Sequence, residues 1–278
     1  MLLAATKPAP QRVRCRQIVE ADLGALAILL AQGFAATQPA YWTEGFARFA
    51  GLPAIEGVPR FGYVLQSESA IVGVILLISS LRGGQIFSNL SSWYVEPDFR
   101  AHSTSLISMA TKHKHVTYLN ISPAQHTWRT LEAQGFKPYN LGRSAVFPAM
   151  SRGGATVREN IPSDLPEYDL LRAHAAYGCR SLVCELDGVA LPFVFKPRRL
   201  DRPPVRMMEL IYSRDADAFA RCAPALGRWM LRRGALGIIC DGHVTGFPSR
   251  YVAGKEPRFF KGPRVPTDLA FTEKVIFG

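Results

Sequence analysis

Two runs in this sequence place reactive side chains at spacings that could do chemistry. In Cys240-Asp241-Gly242-His243 a carboxylate and an imidazole stand two residues apart, and alternate residues of an extended strand share one face. Asp241 could then orient His243 as a general base, since an imidazole exchanges protons near neutral pH. Cys240 would add a nucleophile, but neighbouring strand residues point to opposite faces. Asp241-Gly242 is equally an ordinary turn pair. The second run goes from Pro248-Ser249-Arg250-Tyr251 through Lys255 to Arg258-Phe259-Phe260-Lys261-Gly262 and interleaves cations with aromatics. Such interleaving could stack bases and neutralise phosphates, grip a sugar, or form a plain basic surface loop.

Composition narrows the classes of function. The 278 residues carry a formal net charge of +11 and are 48% hydrophobic, a globular balance with material for one large or two medium domains. The basic excess implies an anionic partner: nucleic acid, an acidic cofactor or an acidic glycan. The cations are scattered rather than gathered in a tail, which disfavours nucleic acid. Five cysteines form no CxxC pair and no zinc spacing, so no metal is expected and the thiols read as reduced, buried hydrophobes. No apolar run approaches the roughly 18 residues of a membrane span. The opening MLLAATKPAPQRVRCR lacks the apolar core of a secretion signal, and reads as a disordered lead-in to a cytoplasmic protein.

The elements that must position these residues are legible in part. Strands are expected at Val13 to Ile18, Phe61 to Gln66, Ala70 to Ile78, Gln85 to Val95 and Val116 to Ile121. Helices are expected from Leu23, over Trp42 to Phe49, over Leu106 to His113, and from Pro123 to about Gln134, where Gly135 stops the last. Lys137 to Phe147 supplies closing strands, and Ser151-Arg152-Gly153-Gly154 reads as a linker. Beyond it come a hairpin across Asp187-Gly188, a basic Pro-rich loop over Pro197 to Val205, and a strand from Met207 to Ser213. A helix over Ala216 to Arg233 and a strand over Ala235 to Asp241 follow. The final apolar pattern, Leu269, Phe271, Val275, Ile276 and Phe277, is expected to pair into the sheet.

That order of elements, with the segments Val95-Glu96-Pro97-Asp98-Phe99-Arg100 and Leu131-Glu132-Ala133-Gln134-Gly135-Phe136, resembles the GNAT superfamily of acyl-CoA acyltransferases over about Arg12 to Phe147. The resemblance implies an α/β fold with a mixed, largely antiparallel sheet flanked by helices. The later order of hairpin, strand, helix and strand suggests a second, diverged GNAT-like unit, giving domains at 12–149 and 155–278.

The resemblance also implies a co-substrate, acyl-CoA, and its site. The turn Arg100-Ala101-His102-Ser103-Thr104-Ser105 would wrap the pyrophosphate, with Ser103 and Ser105 at the family's glycine positions and Ser103 or Thr104 able to cap the helix. Trp93, Tyr94 and Val95 would lie along the pantetheine arm. The family's usual tyrosine acid is replaced by Leu131, which cannot move a proton. Proton transfer would then fall to Asp241 and His243, or to Asn120 and His126. A cleft between the two halves would bring Arg100 to Ser105 and Asp241 to Lys261 toward one acceptor, anionic or sugar-containing. The rival readings are a non-catalytic GNAT-like ligand-binding protein and, least favoured, a nucleic-acid-binding protein.

Overall fold

The structure, a computed structural model, describes residues 12–201 and 204–278, without the side chain of Lys255. The expected lead-in falls on residues 1–11, outside the described part. In chain order the elements are β1 (Val13–Gln17), α1 (Leu23–Gly33), α2 (Pro39–Ala50), β2 (Gly62–Ser67), β3 (Ala70–Arg82), β4 (Gln85–Val95), α3 (Ser103–Ala110) and β5 (Val116–Asn120). Then come α4 (Trp128–Ala133), β6 (Lys137–Val146), β7 (Thr156–Arg158), α5 (Tyr168–Ala176), β8 (Arg180–Leu186), β9 (Val189–Asp201), β10 (Pro204–Ser213), α6 (Ala216–Leu231), β11 (Gly237–Asp241), β12 (Ser249–Lys261) and α7 (Glu273–Ile276). The chain forms two compact units, one of residues up to Ser79 with Leu90–Lys114, the other of Ser80–Asn89 with His115–Gly278. These units cut the chain elsewhere than at 149 and 155, because β3 and β4 each contribute to both.

In the first unit the strand order is β1-β2-β3-β4. Apolar residues three and four apart put Leu26 and Leu30 of α1 wholly inside, the spacing of one helix face. On α2 the Trp42 indole N–H donates to Thr37 Oγ1 at 2.9 Å, while Phe49 meets Phe61 edge-on at 5.3 Å. Each such large apolar side chain, once buried, stabilises the unit by roughly 2 kcal/mol.

In the second unit the order is β4-β5-β12-β6-β11-β10-β9-β8-β7. The pairs β4/β5 and β10/β11 run parallel; the other ladders described here are antiparallel. The mixed, largely antiparallel sheet flanked by helices is therefore the architecture expected. Helix α6 starts where Asp215 Oδ1 accepts the Ala218 N–H at 2.7 Å. It lays Phe219, Cys222, Leu226 and Trp229 against Leu182, Phe193 and Phe195 of the sheet.

Several local expectations are corrected. Residues 197–201 and 204–205 are strand rather than loop, because β9 and β10 pair as far as Asp201↔Pro204. The helix expected from Pro123 is shorter: a 3-10 turn, Gln125–Thr127, precedes the six residues of α4. Lys137–Val146 is a single strand, and α5 and β7 lie where no element was expected. The segment read as a linker is irregular chain, and the Arg228 guanidinium donates to its Ser151 (2.8 Å) and Gly153 (2.7 Å) carbonyls. Of the last apolar residues Leu269 makes a strand-like bond, and Glu273–Ile276 is a helical turn.

Candidate functional site

In the first unit the candidate cofactor residues lie at the end of β4 and on the turn that follows. Ser92 sits in the left-handed region, φ 53°, an unusual conformation for a residue with a β-carbon. Just after it, Trp93 is half-buried and its indole N–H has no hydrogen-bond partner among the described residues. The Tyr94 ring lies over Gly33, where a β-carbon would stand 2.5 Å from Tyr94 Cδ2, and 6.3 Å from the Phe34 ring. Val95 is buried against Gly73.

Pro97–His102 is a 3-10 turn that runs straight into α3, the Ser103 N–H donating to the Arg100 carbonyl. Ser103, Thr104 and Ser105 are thus the first helical turn rather than a loop. His102 stands at the cap position with helical torsions and no side-chain bond, so neither Ser103 nor Thr104 caps the helix. Arg100, Thr104 and Ser105 are exposed; His102 and Ser103 are half-buried. The cap residue places no side chain over this helix start, and the positive end of the helix dipole there favours an anion.

In the second unit, Asn120 is buried at the end of β5 and His126 is exposed on its 3-10 turn. Leu131 is fully buried, a core residue as its type suggests. Asp241 and His243 are not brought together. β11 ends at Asp241, and Gly242 turns the chain with φ +73°, so the alternation that would align the two side chains stops between them. The partners of Asp241 among the described residues are arginines: Arg258 Nη2 at 2.7 Å and Arg143 Nε at 3.9 Å. His243 is exposed and meets the Tyr251 ring edge-on at 5.3 Å. Cys240 is buried, and burial pushes its thiol well above the usual range, which removes it as a nucleophile.

Sequence reasoning missed the ion network that holds Asp241. Arg258, wholly buried, also donates to the Ile121 carbonyl at 3.3 Å. Glu209, 1% exposed, binds Arg143, Lys274 Nζ at 2.9 Å and Arg198 Nε at 3.3 Å. Glu256 takes Arg143 Nη1 at 2.9 Å and Lys274 Nζ at 3.0 Å. Burial opposes ionisation of Glu209, yet Lys274 and Arg143 outweigh it and hold the carboxyl below its usual range. At Glu256 burial likewise loses to the same two cations, and the carboxyl falls to about 2. The signal was present: a lone carboxylate inside Met207-Met208-Glu209-Leu210-Ile211 must be buried with partners.

No family model and no curated protein matches the sequence. Solved structures do. A GCN5-related N-acetyltransferase from Anabaena variabilis matches 90% of this chain and 72% of its own at 11% identity, with a TM-score of 0.57. An acetyltransferase-like protein from Pyrococcus horikoshii matches 97% of this chain and 96% of its own at 13% identity, TM-score 0.58. The glucosamine N-acetyltransferase region of a fungal multi-domain GH3 β-N-acetylglucosaminidase matches 91% of this chain and 38% of that one at 10% identity, TM-score 0.59. Likeness at these identities concerns the backbone alone: the chain has the GNAT fold.

Proposed function

We infer that this protein is an acyltransferase that moves an acyl group from acyl-CoA to the amine or hydroxyl of an acceptor. The observation that carries the reading is the junction from β4 to α3. A left-handed Ser92, a Trp93 indole N–H with no partner among the described residues and a helix start with no side-chain cap lie in sequence there. In this reading the pyrophosphate lies against Arg100, Ala101, His102, Ser103, Thr104 and Ser105. The pantetheine arm runs along Trp93, Tyr94 and Val95. Serine at positions where the family has glycine narrows the approach of the backbone but adds hydroxyl donors for phosphate oxygens. The acceptor attacks the thioester carbonyl, a C–N or C–O bond forms, the C–S bond breaks, and the acceptor's proton balances the departing thiolate. Of the remaining candidates, the exposed His126 could take that proton, while Asn120, an amide, could only orient the acceptor or a water by hydrogen bonding. Asp241 is committed to two arginines.

A sugar amine is the acceptor class we favour, supported by the fungal glucosamine N-acetyltransferase region among the structural neighbours and by the basic, aromatic run Arg250–Lys261. We assign the protein to the cytoplasm on its odd number of cysteines, none of them paired; no helix among the described residues is long and apolar enough to cross a membrane.

Calorimetric titration with acetyl-CoA tests the reading. Saturable binding is expected. Ser103→Asp and Ser105→Asp should each weaken it about tenfold or more, because like charges then face each other. Folding should persist, since acidic residues suit a first helical turn. Unchanged affinity in both variants overturns the assignment. A second reading, a GNAT-like protein that binds without catalysis, is favoured by the buried Leu131 in the place of the family's acid. It predicts acetyl-CoA binding with no turnover across a panel of amino sugars, amines and peptides.

A further inference from the structure

The succession of hairpin, strand, helix and parallel strand occurs twice, as β2-β3-β4-α3-β5 and as β8-β9-β10-α6-β11. In each, the two strands flanking the helix pair only briefly. For β4 and β5 the pairs run from Ile86↔Val116 to Asn89↔Leu119. For β10 and β11 they run from Met207↔Gly237 to Glu209↔Ile239. Beyond Glu209↔Ile239 both strands continue on their outer neighbours, Leu210 on Phe195 and Tyr212 on Val194, Cys240 on Ser144 and Asp241 on Arg143. They no longer pair with each other. The register with β9 skips Ile211, which leaves its backbone to the inner edge.

That edge is occupied by the chain itself. The Leu269 N–H donates to the Ile211 carbonyl at 2.8 Å, the bond an added strand would make. The residues that follow are anchored one after another. Asp268 holds Arg82 Nη1 with both oxygens, at 2.6 and 2.7 Å, and accepts the Ala270 N–H at 2.9 Å. Phe271, left-handed at φ 55°, donates its N–H to His174 Nε2 at 3.1 Å and packs edge-on against that ring. The Glu273 N–H donates to Asn89 Oδ1 at 2.8 Å. Lys274 reaches Glu209 and Glu256, while its carbonyl accepts Lys196 Nζ. Leu269, Ala270, Val275, Ile276 and Phe277 are all buried. At the start of α6, the place matching the α3 turn, Asp215 already caps the helix and Asp217 follows in the first turn. Two carboxylates there repel a phosphate.

We propose that the gap between β10 and β11 is a second cofactor-type slot, filled in cis by residues 268–277, so that the chain takes a single acyl-CoA and takes it at the α3 junction. The stoichiometric clause rests on the acyl-CoA reading given under Proposed function; the filled slot does not. A tethered segment competes at an effective concentration of the millimolar order or above, and a free ligand would have to break this series of bonds to enter.

Hydrogen exchange on the full chain, with and without saturating acetyl-CoA, tests it alongside calorimetry. The amides of Leu269, Ala270, Phe271 and Glu273 should exchange at least about a hundredfold more slowly than free peptide, the behaviour of backbone that opens only in rare local fluctuations. Acetyl-CoA should leave that protection unchanged, and calorimetry should give one acetyl-CoA per chain. Fast exchange without ligand overturns the filled slot. Deprotection on adding acetyl-CoA, or two molecules bound per chain, overturns the single-site claim. Protected amides with no binding heat leave the filled slot standing and defeat the acyl-CoA reading instead.

Discussion

The β4–α3 and β10–α6 junctions occupy the same place in a repeated order of elements, yet they end in opposite electrostatic states. At α3 the cap is His102, with helical torsions and no side-chain bond, and the first turn is Ser-Thr-Ser. At α6 the cap is an extended Asp215 that satisfies the Ala218 N–H, and the neighbouring strand edge is bonded by Leu269. One helix start carries no side-chain cap, and the other is capped by a carboxylate. A shared topology fixes where a ligand could lie; a few side chains decide whether there is room and charge for it.

The comparison can be broken hardest at Arg258, the buried cation of the closed half. Arg258→Met strands the Asp241 carboxylate and the Ile121 carbonyl, and should cost about 3–5 kcal/mol, the usual loss when one partner of a buried pair is removed. A urea unfolding midpoint unmoved by that substitution would show the network to be incidental. Arg100→Met, on the exposed turn before α3, should change the unfolding free energy by less than about 0.5 kcal/mol while weakening acetyl-CoA binding.

His174 offers a pH test of the closed half. Its Nε2 accepts the Phe271 N–H and its Nδ1 faces the Leu170 carbonyl, so the fold holds the neutral ring. Burial chiefly lowers its pKa to about 4, with Arg82 adding to the shift and Asp268 and the Leu170 carbonyl opposing it. A base whose folded pKa lies below its ordinary 6.5 binds more protons when unfolded. Its stabilisation is therefore complete above about pH 6.5 and is lost as pH falls toward 4. Glu209 and Glu256, held low by Lys274 and Arg143, begin to add their losses as pH falls through the ordinary carboxylate value near 4.5. Thermal midpoints should drop between pH 6.5 and 4, and His174→Gln should flatten that slope; an unchanged slope would remove the ring as its source.

Smaller effects sharpen the contrast. Asp215→Ala removes a cap and should cost about 1 kcal/mol, measured by denaturation, without creating a second acetyl-CoA site. Least of all, His243→Gln should leave turnover within about twofold of the parent once an acceptor is found, because His243 faces solvent beside Tyr251 and Asp241 is held elsewhere. A hundredfold drop would restore the Asp241–His243 pairing that the spacing suggested.

The sequence by itself determined the strands with strong apolar or β-branched runs, β3, β4 and β5 among them, and the hairpin at Asp187-Gly188, where Asp187 and Gly188 both turn with positive φ. These are local decisions, set by periodicity and turn chemistry within a few residues. It also determined the GNAT order of elements, through Val95 to Arg100 and the helix ending at Gly135. Tertiary structure alone decided that β12 lies between β5 and β6, that Asp241 answers Arg258 rather than His243, and that residues 268–277 fill the gap beside Ile211. Each of these joins residues far apart in the chain: Arg258 meets Ile121 across 137 positions, and no spacing rule reaches that far. Buried charge is paired wherever the fold brings a partner, and only the folded chain says which partner that is.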